Sequence, residues 1–173
     1  MEKMKRNNIK LLCISGIFTA LVFVVTAYLH IPAYNGYIHV GDGFIILASC
    51  ILPMPYAVCV GAGGAMLSDV LTGYAIYAPA SIVIKAATAI LFSNKTKKIV
   101  SLRNTLMLIP ATLICTGGYY IYEVIILGSF GAPLAGIPGS LIQSTASAIV
   151  FVFSGIAMDK TNFRKKFLGE IYL

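Results

Sequence analysis

Residues 9–29 read IKLLCISGIFTALVFVVTAYL, and residues 105–127 read TLMLIPATLICTGGYYIYEVIIL. Each run carries one charged residue, Lys10 in the first and Glu123 in the second. About 20 apolar residues in a helix cross a hydrocarbon core of roughly 30 Å, so both runs read as transmembrane spans. Working outward, turn signals cut the rest of the chain into similar pieces. Ile31-Pro32 through Asn35-Gly36 breaks the chain after the first helix, and Pro53-Met54-Pro55 separates the second from the third. Gly73 and Pro79 bracket the next turn, and Gly128 to Pro133 the last. The expected helices lie near 9–29, 41–54, 56–72, 77–93, 105–127 and 134–157. The expectation is therefore an all-α integral membrane fold: a six-helix bundle forming a single membrane domain over 1–173.

Composition agrees. The 173 residues are 58% hydrophobic and 11% charged, with a net charge of +7 and a mean hydropathy of +0.88. A soluble domain carries roughly 25% charged residues. Disorder needs low hydrophobicity, and four Cys are too few for a disulfide scaffold. A nucleic-acid groove would need solvated polar neighbours around its basic charge, so no nucleic-acid partner is expected.

Twelve of the thirteen basic residues fall into three blocks: Lys3, Lys5, Arg6 and Lys10; Lys95, Lys97, Lys98 and Arg103; Lys160, Arg164, Lys165 and Lys166. Only Lys85 stands apart. Short Lys/Arg-rich segments stay on the cytoplasmic side. Three blocks on one side require an even number of crossings between neighbours, which six helices with both termini inside supply. A charged start before an apolar run also resembles a secretory leader, but the run is long and lacks a small-x-small site after it.

An ionisable residue inside a membrane is a functional hypothesis by default, because burying it costs at least ~2.5 kcal/mol. A rise of 1.5 Å per residue places Asp69 about 20 Å up helix three, Lys85 about 9 Å down helix four, and Glu123 roughly 5 Å from the outer surface. Gln143 reaches roughly 13 Å down helix six, and Asp42 opens helix two at the outer edge. Five polar groups from five helices thus converge on the outer half, which implies a pocket open to the outside. Tyr28, Tyr34, Tyr37, Tyr74, Tyr77, Tyr119, Tyr120 and Tyr122 map to the outer third as well. They read either as an interfacial belt or as a pocket wall that stacks on a flat ring.

Plainer roles compete at each position. Asp42 can cap helix two, Asp69 and Lys85 can neutralise each other across the helix three–four hairpin, and Glu123 can sit near water. His30 and His39 flank the first outer loop, as solvated residues or metal ligands. Cys13, Cys50, Cys59 and Cys115 lack C-x-x-C spacing and read as apolar fillers. The small faces at Gly16/Ala20 and at Gly61-Ala62-Gly63-Gly64-Ala65 either pack inside the bundle or dock a membrane partner. No Lys-Ser/Thr follows the glycine run, so it is no phosphate loop. No metal site, cofactor motif or nucleophile–base pair is visible, and no internal repeat of the kind that lets a carrier work alone.

The run Ile31-Pro32 … Gly36-Tyr37-Ile38-His39-Val40-Gly41-Asp42-Gly43-Phe44-Ile45 resembles the loop-one/helix-two signature of the substrate-binding (S) components of energy-coupling factor (ECF) vitamin transporters. The resemblance is to the subfamily for hydroxymethylpyrimidine, pyridoxine-type and queuosine-precursor uptake. It continues through Ser68-Asp69-Val70-Leu71, Gly73 to Ala80, Ile84-Lys85, Gly118 to Glu123 and Ile137 to Gln143. Ser140 stands where the family usually has Asn. The resemblance implies a six-helix S component with an outward-facing pocket, a transmembrane coupling (T) subunit and two cytoplasmic ATPases as partners. It also implies a helix-one docking face at Gly16 and Ala20, and loop one, about 31–40, as a lid.

The expected function is capture of a small heteroaromatic vitamin or precursor, pyridoxine or hydroxymethylpyrimidine first, at a prokaryotic plasma membrane. The chain is not expected to be an enzyme. Candidate ligand contacts are Tyr37, His39, Asp42, Asp69, Tyr74, Tyr77, Lys85, Glu123 and Gln143. Three acids against one Lys argue against an anionic ligand. The alternatives are a proton-coupled carrier switching through Asp69/Lys85, and an intramembrane enzyme using Asp69 and Glu123 as acid and base.

Overall fold

A computed structural model describes residues 2–33 and 36–172, with side chains for all of these except 2–6, 33, 36, 168 and 170–172. Helix α1 (Glu2–Tyr28) leads into an antiparallel hairpin, β1 (His30–Ala33) and β2 (Gly36–His39). Then come α2 (Gly41–Ile51), α3 (Met54–Leu71), a 3-10 turn Ala75–Tyr77, α4 (Ala78–Leu91) and a short α5 (Leu102–Leu106). α6 (Leu108–Leu127), a second 3-10 turn Ala132–Gly136, α7 (Ile137–Lys160) and α8 (Phe163–Tyr172) complete the chain.

Among the described residues, four stretches are long and apolar enough to cross a membrane: Asn7–Tyr28, Met54–Leu71, Leu102–Leu127 and Ala132–Lys160. Gly41–Ile51 and Ala75–Leu91 are shorter apolar helices. At 1.5 Å per residue, α2 extends only about 16 Å. The expected end at residue 54 fails because Pro53 cannot continue a helix, and it stands instead at the N-cap of α3. Every residue of α2 except Phe44 is buried, so α2 is a central helix that meets other helices along its length. Its Ile45, Leu47 and Ile51 pack with Val22 of α1, Val60 of α3 and Phe151 of α7 in the main core.

The outside of the bundle is apolar. Ile9, Leu12, Ile17 and Val24 on α1, Ile109, Leu113 and Ile125 on α6, and Ile149 and Phe153 on α7 are all exposed. In water such surface would aggregate; in a bilayer it meets acyl chains. The chain is a multi-pass membrane protein.

Small residues set the spacing inside. A Cβ on Gly64 would lie 2.7 Å from Val22, and one on Gly61 would lie 3.0 Å from Ile45. The α3 glycine face is therefore internal packing, holding α1 and α2 close. Ser68 Oγ ties the same seam, donating toward Phe23 O at 3.3 Å and Gly64 O at 3.0 Å. Gly16 differs: it is exposed, and an added Cβ would meet nothing within 4 Å. Ala20 is exposed too.

At the end away from the hairpin, buried Asn104 organises the basic segment between α4 and α5. It accepts from the Ser93 amide at 3.1 Å and donates to Ser93 O and Ile99 O, both at 3.0 Å. Asp159 of α7 accepts from the Ile99 and Val100 amides at 2.8 and 3.0 Å. Arg164 donates to Thr96 O at 2.8 Å and also to Asn94 O.

Candidate functional site

The hairpin end holds a cavity of about 370 Å³. Gly73 builds one side of it. With φ at +89° it takes the left-handed conformation that glycine adopts without a Cβ clash, which lets the Tyr74 amide reach back to Asp69 O at 2.8 Å. Tyr74 is thereby held beside Asp69. Pro79, in the first turn of α4, restarts the helix just before Ser81 and Lys85, which stand one turn apart. Helical spacing supplies two more walls: Thr116, Tyr119, Tyr120 and Glu123 share a face of α6, and Gly136, Gly139, Ser140 and Gln143 share a face at the start of α7.

The aromatic groups form a continuous strip. Ring centroids lie 4.7 Å apart for His30–Tyr37, 4.8 Å for Tyr37–Tyr74, 6.4 Å for Tyr74–Tyr77 and 6.0 Å for Tyr77–Tyr122. Two carboxylates join it through tyrosine hydroxyls. Tyr37 donates to Asp69 at 2.8 Å and Tyr77 donates to Glu123 at 3.3 Å. Burial pushes the Tyr37 phenol well above its usual value, and the adjacent Asp69 carboxylate adds to this. The phenol stays protonated and keeps donating.

A second polar layer lies against the first. Lys85 Nζ sits 2.8 Å from Asp42 Oδ1 and 2.9 Å from Oδ2, with Lys85 only 1% exposed. Gln143 Nε2 donates to Asp42 at 3.0 Å, while its Oε1 accepts from the His39 amide at 3.4 Å. Gln143 thus links the ion pair to the hairpin. The close approach of α2 and α7 allows this, since a Cβ on Gly43 would lie 2.8 Å from Ser147 O. His39 Nδ1 accepts from the Gly41 amide at 3.1 Å, which places the proton of the neutral ring on Nε2. Burial lowers the His39 imidazole from 6.5 to about 4, so it is neutral at pH 7.

Several expectations change here. Lys85 pairs with Asp42 across α4 and α2, not with Asp69, because among the described residues only Asp42 lies within ion-pair distance of its ammonium. Asp69 instead accepts from Tyr37, so an Asp69/Lys85 proton switch has no ion pair to act through. Asp42 lies in the first turn of α2 and makes no side-chain capping bond. The hairpin histidines are not simply solvated: His39 is buried, and His30 Nδ1 approaches Thr26 O at 3.2 Å. Asp42 and Lys85 stand behind the cavity, whereas Tyr37, His39, Asp69, Tyr74, Tyr77, Glu123 and Gln143 line it.

Tyr119 and Tyr120 also line the cavity, Tyr28 points away and is exposed, and Tyr34 lies outside the described residues. Ser81 and Thr116 were missed by sequence reasoning. Both stand one or two turns from charged residues that it did single out, Ser81 four before Lys85 and Thr116 seven before Glu123. Ser81 Oγ and Tyr119 Oη are 2.8 Å apart. Among the described residues, no three His, Cys, Asp or Glu side chains group as a metal site.

No curated protein matches the chain. A family profile does, over residues 6–160, which takes in every helix that builds the cavity. The chain belongs to the family of the ECF-type riboflavin transporter, S component: a substrate-binding transporter subunit of the membrane, not an enzyme.

Proposed function

We propose that the chain captures a single-ring heteroaromatic vitamin or precursor, with pyridoxine and hydroxymethylpyrimidine as the leading candidates. The observation that carries this is the tyrosine strip bearing a carboxylate at Asp69 and another at Glu123, in a cavity of about 370 Å³. That volume lies at the small end of ligand sites. It suits one ring with polar substituents, and stacking on Tyr37, Tyr74 and Tyr77 would orient it. Ligand contacts are assigned to Tyr37, His39, Asp69, Tyr74, Tyr77, Glu123 and Gln143. Asp42 and Lys85 act from behind, by holding Gln143.

In this reading the chain crosses a prokaryotic plasma membrane six times, with the three basic blocks and both termini cytoplasmic and the hairpin outside as a lid. A transmembrane T subunit and two ATPases supply the energy. The exposed, unobstructed Gly16/Ala20 face of α1 is the docking surface for the T subunit. Riboflavin is a second reading, favoured by the name of the matching family. Calorimetric titration of the purified chain, without ATP, with pyridoxine, hydroxymethylpyrimidine and riboflavin tests the assignment. Binding of a single-ring compound with no flavin binding supports it, and the reverse overturns it. Gly16→Leu is expected to abolish assembly with the T subunit while leaving ligand binding intact.

A further inference from the structure

Asp69 and Glu123 line the cavity, and no Lys or Arg does so among the described residues. Lys85 is committed to Asp42 behind the wall. Asp69 is 6% exposed, has no ion-pair partner among the described residues, and its Oδ2 is buried with no hydrogen-bond partner. Burying a carboxylate is costly unless it is paired and hydrogen-bonded. The amide donor of Gln143 already serves Asp42, and the hydroxyls of Tyr37 and Tyr77 already serve Asp69 and Glu123. The wall therefore offers a buried carboxylate oxygen at Asp69 with no partner, and its uncommitted donors, the Thr116 and Ser140 hydroxyls and His39 Nε2–H, are all neutral. The strip of tyrosine faces beside those carboxylates attracts cations as well. The His39 ring, neutral at pH 7, adds no opposing charge.

Resting on the single-ring reading above, we infer that the ligand is recognised through a positively charged hydrogen-bond donor, an ammonium or a protonated amino-heteroaromatic edge, held by Asp69 and Glu123. A ring whose polar edge carries only carbonyl or phosphate oxygens would turn lone pairs toward the Asp69 carboxylate and bind more weakly.

Two matched pairs test this by calorimetry on the purified full chain in detergent: amino-bearing hydroxymethylpyrimidine against its oxo counterpart, and pyridoxamine against pyridoxine. The amino member of each pair is expected to bind about 10–100-fold more tightly, the range for a hydrogen bond to a charged group. Asp69→Asn is expected to reduce that preference to less than about threefold, whatever it does to the affinity of the neutral partner. The wild-type comparison decides the matter even if the variant fails to fold. Equal or reversed preference within the pairs overturns the inference but leaves the single-ring reading standing. Binding of riboflavin alone, or of no compound tested, overturns both.

Discussion

Replacing Lys85 with Met keeps most of the side-chain volume and removes the ammonium from the Asp42–Lys85 pair. Both residues are buried, at 1% and 6% exposure. At 2.8 Å and an effective dielectric constant of about 20, the direct attraction is on the order of 6 kcal/mol, most of it offset by the desolvation of two ions. What remains after Lys85→Met is a carboxylate buried without its cation, which costs about 3–5 kcal/mol. The Gln143 amide stays bonded to Asp42 at 3.0 Å, so the lower part of that range applies, about 3–4 kcal/mol. For a chain of this size, each kcal/mol moves Tm by roughly 2–4 °C, which gives a fall of about 6–16 °C. Circular dichroism melting in detergent reads it. Asp42→Asn combined with Lys85→Met is expected to regain more than half of the loss, because neither charge is then stranded. A Lys85→Met Tm within about 2 °C of wild type, or strictly additive losses in the double variant, would refute the reasoning.

Other parts of the chain give independent tests. His39 takes up its proton at about 4 when folded and at 6.5 when unfolded; the unfolded chain therefore binds more protons between these values. This contribution is complete above pH 6.5 and is lost as pH falls toward 4, about 3 kcal/mol in all. His39→Gln is expected to flatten the decline of Tm between pH 7 and pH 4.5, and an unchanged slope counts against it. Asn104→Ala leaves the Ser93 and Ile99 backbone groups without their partner and is expected to cost about 2–3 kcal/mol. Faster tryptic cleavage at Lys95, Lys97 and Lys98 would report it, and an unaltered digestion pattern would contradict it. Gly64→Leu drives a side chain into Val22 and is expected to cost about 1–3 kcal/mol. The neighbouring Gly63→Leu, where an added Cβ meets nothing within 4 Å, should be near neutral in the same melting assay.

The long apolar runs revealed the spanning helices because a bilayer demands length and hydropathy, and both are visible residue by residue. Turn chemistry located their ends to within a few positions at Pro53, Gly73 and Gly128. The β1–β2 hairpin was not legible. Its strands are four residues long and include Pro32, which discourages a strand assignment; the pairing of Pro32 with Tyr37 depends on the bundle beneath. Helical α5 and α8 were missed because their polar sequences lack the apolar periodicity of a span.

Depth arithmetic singled out charged residues that the structure brings together at the hairpin end, but not their partners. Depth along a helix follows from a fixed rise, whereas the face a residue presents depends on how neighbouring helices are rotated. Depth set Lys85 level with Asp69 and left Asp42 at the outer edge, so it favoured a pairing that the structure does not make. The close α2–α7 contact at Gly43 turns Asp42 toward Gln143, and the pairing follows from that contact. Ser81 and Thr116 carry no charge, so no depth argument could single them out.

The proposed capture of a single-ring heteroaromatic is tested most directly by mass spectrometry of the small molecule released when the freshly purified protein is denatured. The expected result is one pyridine or pyrimidine compound, present at about one per chain. Release of a flavin at that stoichiometry would contradict it.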